Sequence, residues 1–305
     1  MNIENFILQL HPIWDASMTT KIVLVSIMCF LSTIATTIYL HRYLTHQSVI
    51  LTKITEHFFA GILWLNTGIP PLTWKLAHKH HHAHSDEPDD LQSPLNPLLL
   101  FGSIPITGPL VPLIRYFMLL IPLRGKNGER LQLEVARTKQ DWFSRTFYHK
   151  LYFLGPIILC STYLLLFGAQ GFFMFLIQFL YLPVVAGMII NGFGHSKKTP
   201  NTAKPEDHAV NILGFIDKLP KFVYWIFFPL WFAINFTLNI LTGGEFRHHT
   251  HHVYQNSARI TEKRFQFDIG WVVIYILLRV GLLKEAKYNN SEKDRVILRL
   301  SSYSK

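Results

Sequence analysis

Charge is scarce in this chain. Only 16% of its 305 residues are Asp, Glu, Lys or Arg, whereas 50% are hydrophobic. Soluble domains carry about a quarter of their residues charged, so the deficit points to an integral membrane protein. Acid is the scarcer sign, 19 Asp and Glu against 29 Lys and Arg, giving a net charge of +10. A nucleic-acid partner would need that excess on one face of a soluble fold, interleaved with stacking aromatics. Here the basic residues flank apolar runs, and Arg124, Lys126, Arg130, Arg137, Lys139, Arg145 and Lys150 crowd one stretch. That is the positive-inside pattern of a cytoplasmic loop, suited to anionic lipid headgroups or an acidic protein and not to nucleic acid.

Cysteine is nearly absent. Cys29 and Cys160 both fall inside apolar runs without ligand spacing, which excludes a disulfide framework and a thiolate zinc site and leaves the redox compartment open. A secretory signature is also lacking: residues 1–17 are mildly acidic, with a short apolar run and no small-residue cleavage site.

Long apolar runs, by contrast, are plentiful. A bilayer core takes roughly 20 apolar residues as a helix, and residues 22–40, 57–74, 151–167, 172–190 and 222–241 approach that length, with a broken, Pro-rich run at 95–123. The tetrapeptide "GAQG" joins 151–167 to 172–190. So short a link makes a hairpin that crosses and returns, leaving Lys150 and Asn191 on one side.

Histidine is concentrated at the edges of these runs: His41 and His46 in "HRYLTH", His78 to His82 in "HKHHH", His195 with Asn191 in "NGFGH", and His248 to His252 in "HHTHH". At about 100° per residue, positions i, i+3 and i+4 share a helical face. His78, His81 and His82 satisfy this and His80 and His84 do not; His248, His251 and His252 repeat it with His249 turned away. Asn191 and His195 also share a face. His41 and His46 would diverge by about 140° on an ideal helix, so a helix end or a local distortion is expected there.

If one metal site collects all four clusters, they emerge on a single face of the bilayer. Residues 22–40, 151–167 and 172–190 then span, whereas 57–74 and 222–241, flanked by ligands at both ends, are re-entrant or interfacial. The "TGIPP" break and Pro229, Asn235 and Asn239 agree with that. A lone histidine at a membrane edge is more often a hydrogen-bonder than a ligand, and His11, His57, His80, His84, His149, His208 and His249 are assigned to solvation or packing. The remaining nine exceed what one tetrahedral zinc can use, so two metals are implied. Imidazole itself suits iron, copper, zinc and nickel alike. Neutral nitrogen ligands leave positive charge on such a pair, which suits binding and reducing dioxygen.

The segments "YLHRYLTHQSV", "WKLAHKHHHAHSDEPDD", "INGFGH" and "GGEFRHHTHHVYQNSAR", followed by "FQFDIGW", resemble the membrane fatty acyl desaturases, in particular a bacterial branch of the stearoyl-CoA (delta-9) type, over about 22–283. The resemblance implies an all-α integral membrane fold in a single domain, with a cytoplasmic helical metal-binding cap and a tail over 284–305. It implies two non-heme iron ions, with dioxygen as co-substrate, that desaturate an acyl-CoA or acyl-lipid to a cis alkene. It also implies electrons from a separate ferredoxin or b-type cytochrome. Carried onto this chain, the ligands are His41, His46, His78, His81, His82, His195, His248, His251 and His252, with Asn191 acting through water. Asp86, Asp89, Asp90 and Glu245, close to the boxes, are candidates to orient imidazole N–H groups. The expected location is a bacterial inner membrane with the site on the cytoplasmic side. Basic headgroup contacts are looked for in 124–150 and 197–204.

Some positions depart from the family. "HHTHH" after Phe246 and Arg247 stands where "HNNHH" is common, and "SKKTPNTAKPEDHAVN" lacks the usual aromatic and arginine residues, although "DHAVN" keeps an Asp-x-x-x-Asn pattern. Two other readings stay in view. A related histidine-box hydroxylase or carotenoid or sterol oxidase would share the metal chemistry. A histidine-rich transporter or sensor would want ionisable residues along a path through the bilayer, and 151–167 and 172–190 have none.

Overall fold

The computed structural model describes residues 11–100, 103–120, 133–195, 204–261, 266–289 and 295–299. Arg124, Lys126 and Arg130 of the basic stretch, 197–203 of the second one, and much of 284–305 lie outside them.

Helix α1 (Met18–Thr45) begins at Ser17, whose hydroxyl accepts the Thr20 N–H, satisfying one of the free donors of a first turn. Its surface is inverted relative to a soluble helix: Ile22, Val23 and Ile27 point outward while Ser32, Thr33 and Thr37 are buried. The last ten residues, Thr36–Thr45, widen into a π-helix. Strand β1 (Val49–Leu51) follows, then α2 (Lys53–Thr67) and α3 (Pro71–Ala83). The two helices are separated by the "GIP" break, and Pro71 opens α3 where a missing N–H costs no helical bond.

Strands β2 (Leu98–Leu100) and β3 (Ile104–Ile106) form a hairpin. Helix α4 (Leu110–Met118) then packs on a later helix, and α5 (Ser144–Lys150) meets α6 (Leu154–Phe167) at a 74° bend. Gly168 links α6 to α7 (Ala169–Phe193), and the two pack side by side. The end of α7, Pro183–Phe193, is again π-helical and carries α4 against it. Helices α1 and α7 are long and apolar enough to cross a membrane, or three spans result if the bent pair α5–α6 counts as one.

Helices α8 (Lys221–Ile226) and α9 (Phe228–Thr242) lead to α10 (His248–Val253). The chain finishes with α11 (Ile269–Arg279), β4 (Leu283–Asn289) and β5 (Arg295–Arg299). The fold is mostly helical, yet the expected tail contributes two strands to a small antiparallel sheet ordered β1-β4-β5. Val49 pairs with Ala286, and Ile38, Leu40, Val49, Ile274, Leu278 and Leu283 share one buried cluster. Each fully buried aliphatic side chain contributes about 1.5–3 kcal/mol, so this cluster clamps the segment bearing His41 and His46 from both sides.

Candidate metal centre

The π-helical end of α1 resolves the spacing of its two histidines. Its hydrogen bonds run from i+5 to i, as in His46 N–H to the His41 carbonyl at 3.0 Å. Positions five apart therefore face one way, and the two rings sit 4.7 Å apart. On α3, His78, His81 and His82 are buried on the inner face. His80 and His84 turn outward to Asp89 and Glu87. Helix α10 is reached through a turn in which Gly243 (φ +66°) and Gly244 (φ +94°) adopt backbone angles that a side chain disfavours. The Thr250 N–H donates to Asn211 Oδ1 at 3.1 Å, which ties the "DHAVN" motif to the helix and aims His248, His251 and His252 inward. His249 points away, against the Glu206 carbonyl.

The nine histidines converge as two groups. His41, His46, His78, His82 and His251 form one and His81, His195, His248 and His252 the other, with one ring nitrogen from each member within 4.8 Å of those of its group. Every member is buried. The carboxamide of Asn191 lines a cavity together with His41, His78 and His248. That cavity runs along Thr37, Thr36 and Thr33 of α1 on one side and Ile190, Ala186, Val185 and Leu182 of α7 on the other. His57 and His208 stay outside both groups, near Asp141 and Asp86 respectively.

The outer nitrogens of four rings have fixed acceptors. His41 Nδ1 donates to Glu245 at 2.9 Å, His81 Nδ1 to Asp90 at 2.8 Å, His195 Nδ1 to Asp86 at 3.3 Å and His78 Nδ1 to Gln92 at 2.7 Å. Placing the proton on Nδ1 leaves the Nε2 lone pair facing inward. There His41 Nε2 lies 2.9 Å from His251 Nε2, and His195 Nε2 lies 2.9 Å from His248 Nε2. The buried Nε2 atoms of His46, His81 and His252 have no hydrogen-bond partner. Lone pairs that converge on one another, or on nothing, cost energy unless a cation accepts them, so this donor set fits metal ions.

Electrostatics disfavours protonation of several of these rings. Burial, followed by the neighbouring imidazoles, holds His78, His82, His248, His251 and His252 well below the ordinary histidine value. For Asp90, burial acts upward but the His81 ring and the N–H groups of Asp86 and Gln92 prevail, leaving it at about 2. Glu245 is likewise lowered against its burial by His41, Arg42 and Thr37.

Of the four carboxylates expected to orient imidazoles, Asp86, Asp90 and Glu245 touch these rings and Asp89 turns away to His80. Sequence reasoning missed Gln92, two residues beyond Asp90. It also missed Trp74, whose ring stacks on His78 at 4.6 Å, and the buried pair Arg42–Asp268. The last was available as a signal in "FQFDIGW", whose single acid is Asp268.

Residues 20–259 match the fatty acid desaturase family model. Among curated proteins, the Delta-9 desaturase-like 2 protein of Arabidopsis thaliana is 27% identical over 278 residues, 90% of this chain and 79% of its own length. The Delta-9 acyl-lipid desaturase 1 of the same plant is 26% identical over 273 residues, 85% and 72% of the two chains. The Acyl-CoA C20 Delta5-desaturase of Anemone leveillei is 25% identical over 264 residues, 83% and 69%. Because the family match takes in every one of the nine converging histidines, the chain belongs to the fatty acid desaturase family and is a membrane oxidoreductase acting on fatty acyl chains.

Proposed function

We propose that the two histidine groups hold two iron ions, and that the chain introduces a cis double bond, of the delta-9 type, into a saturated acyl chain carried by CoA or a lipid. One observation carries this reading: nine buried imidazoles gather in two groups, and His41, His78 and His248 among them line a cavity whose wall away from the histidines includes Thr33, Thr36, Leu182, Val185 and Ala186. The irons, once bound, supply the dioxygen chemistry that removes hydrogen from an unactivated methylene.

The protein's own residues do the rest. Glu245, Asp90, Asp86 and Gln92 fix the proton on Nδ1 and so keep Nε2 basic. Asn191, buried at the cavity wall beside His41 and His248, offers an amide to a ligated water. Leu182, Val185, Ala186 and Ile190 exclude bulk water from the place where the acyl chain lies. An alkyl chain has no polar handle at the reaction point, so position along it is measured by the length of the cavity.

Helices α8 and α9 lie in the membrane interface in this reading, with Phe222, Trp225 and Phe232 exposed there, and the histidine groups face the cytoplasm. Electrons come from a separate ferredoxin or b-type cytochrome, steered by the basic surface.

The test is expression in a bacterial host unable to make unsaturated fatty acids, followed by gas chromatography and mass spectrometry of its lipids. A new monoene is expected, lost in His81→Ala and His251→Ala. A hydroxylated product, or a monoene retained in both variants, would overturn the reading.

A further inference from the structure

Arg42, next to a metal-facing histidine, is 1% exposed, and neither its Nε nor its Nη1 has a hydrogen-bond partner. Its Nη2 lies 3.3 Å from both oxygens of Asp268 and 3.7 Å from Glu245 Oε1, the same oxygen that accepts the His41 Nδ1–H at 2.9 Å. Asp268 cannot swing away, because its Oδ1 accepts the Trp271 N–H and its Oδ2 the Ile260 N–H, each at 2.9 Å. The slot is cut for the guanidinium: a Cβ at Gly270 would stand 1.9 Å from Arg42 Nη1 and 2.8 Å from the Gly243 carbonyl. A buried cation with unsatisfied donors is a poor device for stability, since apolar residues of similar volume often do as well or better.

Its surroundings suggest an electrical purpose. Glu245, Asp90 and Asp86 each receive an imidazole Nδ1–H, yet among the described residues only Glu245 also has an arginine or lysine within ion-pair distance. A carboxylate on Nδ1–H strengthens the imidazole as a donor, and a guanidinium sharing that carboxylate weakens the effect. Asp268 takes up part of the guanidinium charge in turn.

Accepting the two-metal reading above, we propose that Asp268, acting through Arg42 and Glu245, is a positioning residue that sets the donor strength of His41 and makes the two metal positions inequivalent. The five-histidine position takes its balance from the Asp268–Arg42–Glu245 chain, whereas at the four-histidine position Asp90 and Asp86 have, among the described residues, no arginine or lysine on their carboxylate oxygens, Arg115 reaching only the Asp90 backbone carbonyl at 3.0 Å. Removing the Asp268 charge leaves Arg42 wholly on Glu245 and weakens metal binding at the five-histidine position alone.

The experiment is a cobalt(II) titration of the metal-free full-length chain in detergent, read by visible absorption, with iron-57 Mössbauer spectra as a second signature. Wild type is expected to bind two equivalents in resolvable steps. Asp268→Asn should weaken one of them about 10- to 100-fold and move one Mössbauer doublet, while Asp90→Asn should affect the other. Arg42→Lys, which keeps the charge and loses the fork, should shift the same step as Asp268→Asn by less. Where Asp268→Asn does not fold, Asp268→Glu decides, a shift confined to one step being expected. Two equivalents in wild type with both steps weakened equally, or neither changed, would overturn this inference and leave the metal pair standing. Fewer than two equivalents in wild type would overturn both.

Discussion

An imidazole serves a metal only when its proton sits on the far nitrogen, so the acceptor behind each ring matters nearly as much as the ring. Gln92 is a neutral acceptor on a metal-facing ring, 2.7 Å from His78 Nδ1. Gln92→Leu, which cannot accept, is expected to cost about 10- to 100-fold in metal affinity, and Gln92→Glu to retain or tighten it. Metal content after dialysis against graded chelator measures the difference. The reverse result, with Leu tolerated and Glu not, would mean that this amide presents its N–H₂ to the ring. The ligand candidates themselves were legible because i, i+3 and i+4 is a property of one short segment. Gln92 and Asp268 were not: their contacts to His78 and Arg42 close over 14 and 226 residues, and no local spacing announces them.

At the scale of elements, the π-helical end of α1 shows what a spacing rule can and cannot say. The five-residue spacing from His41 to His46 demanded a departure from α-helical geometry, and the departure is a widened helix running through Thr45 before the chain turns into β1. The sheet that holds this end in place was invisible, since β1 has three residues, too few for an alternating pattern to register. The same helix sets the depth of the cavity. Thr33 lies two turns from His41, and its hydroxyl is backed by Tyr181 Oη at 3.2 Å, which itself donates to the Leu241 carbonyl at 3.1 Å. Thr33→Leu is therefore expected to shorten the acyl chains accepted, with preference shifting by about 10- to 200-fold for each mismatched methylene. Fatty acid profiles of the complemented host report it, and an unchanged chain-length distribution would place the acyl tail elsewhere.

At the scale of the molecule, burying so many imidazoles has a cost that metal offsets. His78, His82, His248, His251 and His252 are held well below their unfolded value, for which burial is the first cause. Below about pH 6.5 the unfolded chain takes up protons that the folded chain refuses, so the metal-free protein loses stability as pH falls and regains it above that value. Bound metal should raise the thermal midpoint, while the fall between pH 7 and 5 keeps a similar slope because the folded imidazoles carry no protons with or without it; a pH series of melting curves with and without metal measures both. Polarity of the whole chain follows from its two ends in the membrane. The Ile13 and Trp14 N–H groups donate to the Leu165 and Leu166 carbonyls, and Lys21 donates to Gln170 at 2.6 Å, which ties the start of α1 to the tip of the α6–α7 hairpin. The histidine groups stand at the opposite ends of those helices. In a background with Cys29 and Cys160 replaced by Ser, Asp15→Cys is therefore expected to react with a membrane-impermeant thiol reagent from the outside of intact cells. Lys79→Cys, on the outer face of α3 beside the metal-facing histidines, should react only after the membrane is opened. Labelling of both from one side would mean that α1 does not cross, and the convergence of the four histidine segments at one boundary of the lipid would need another route.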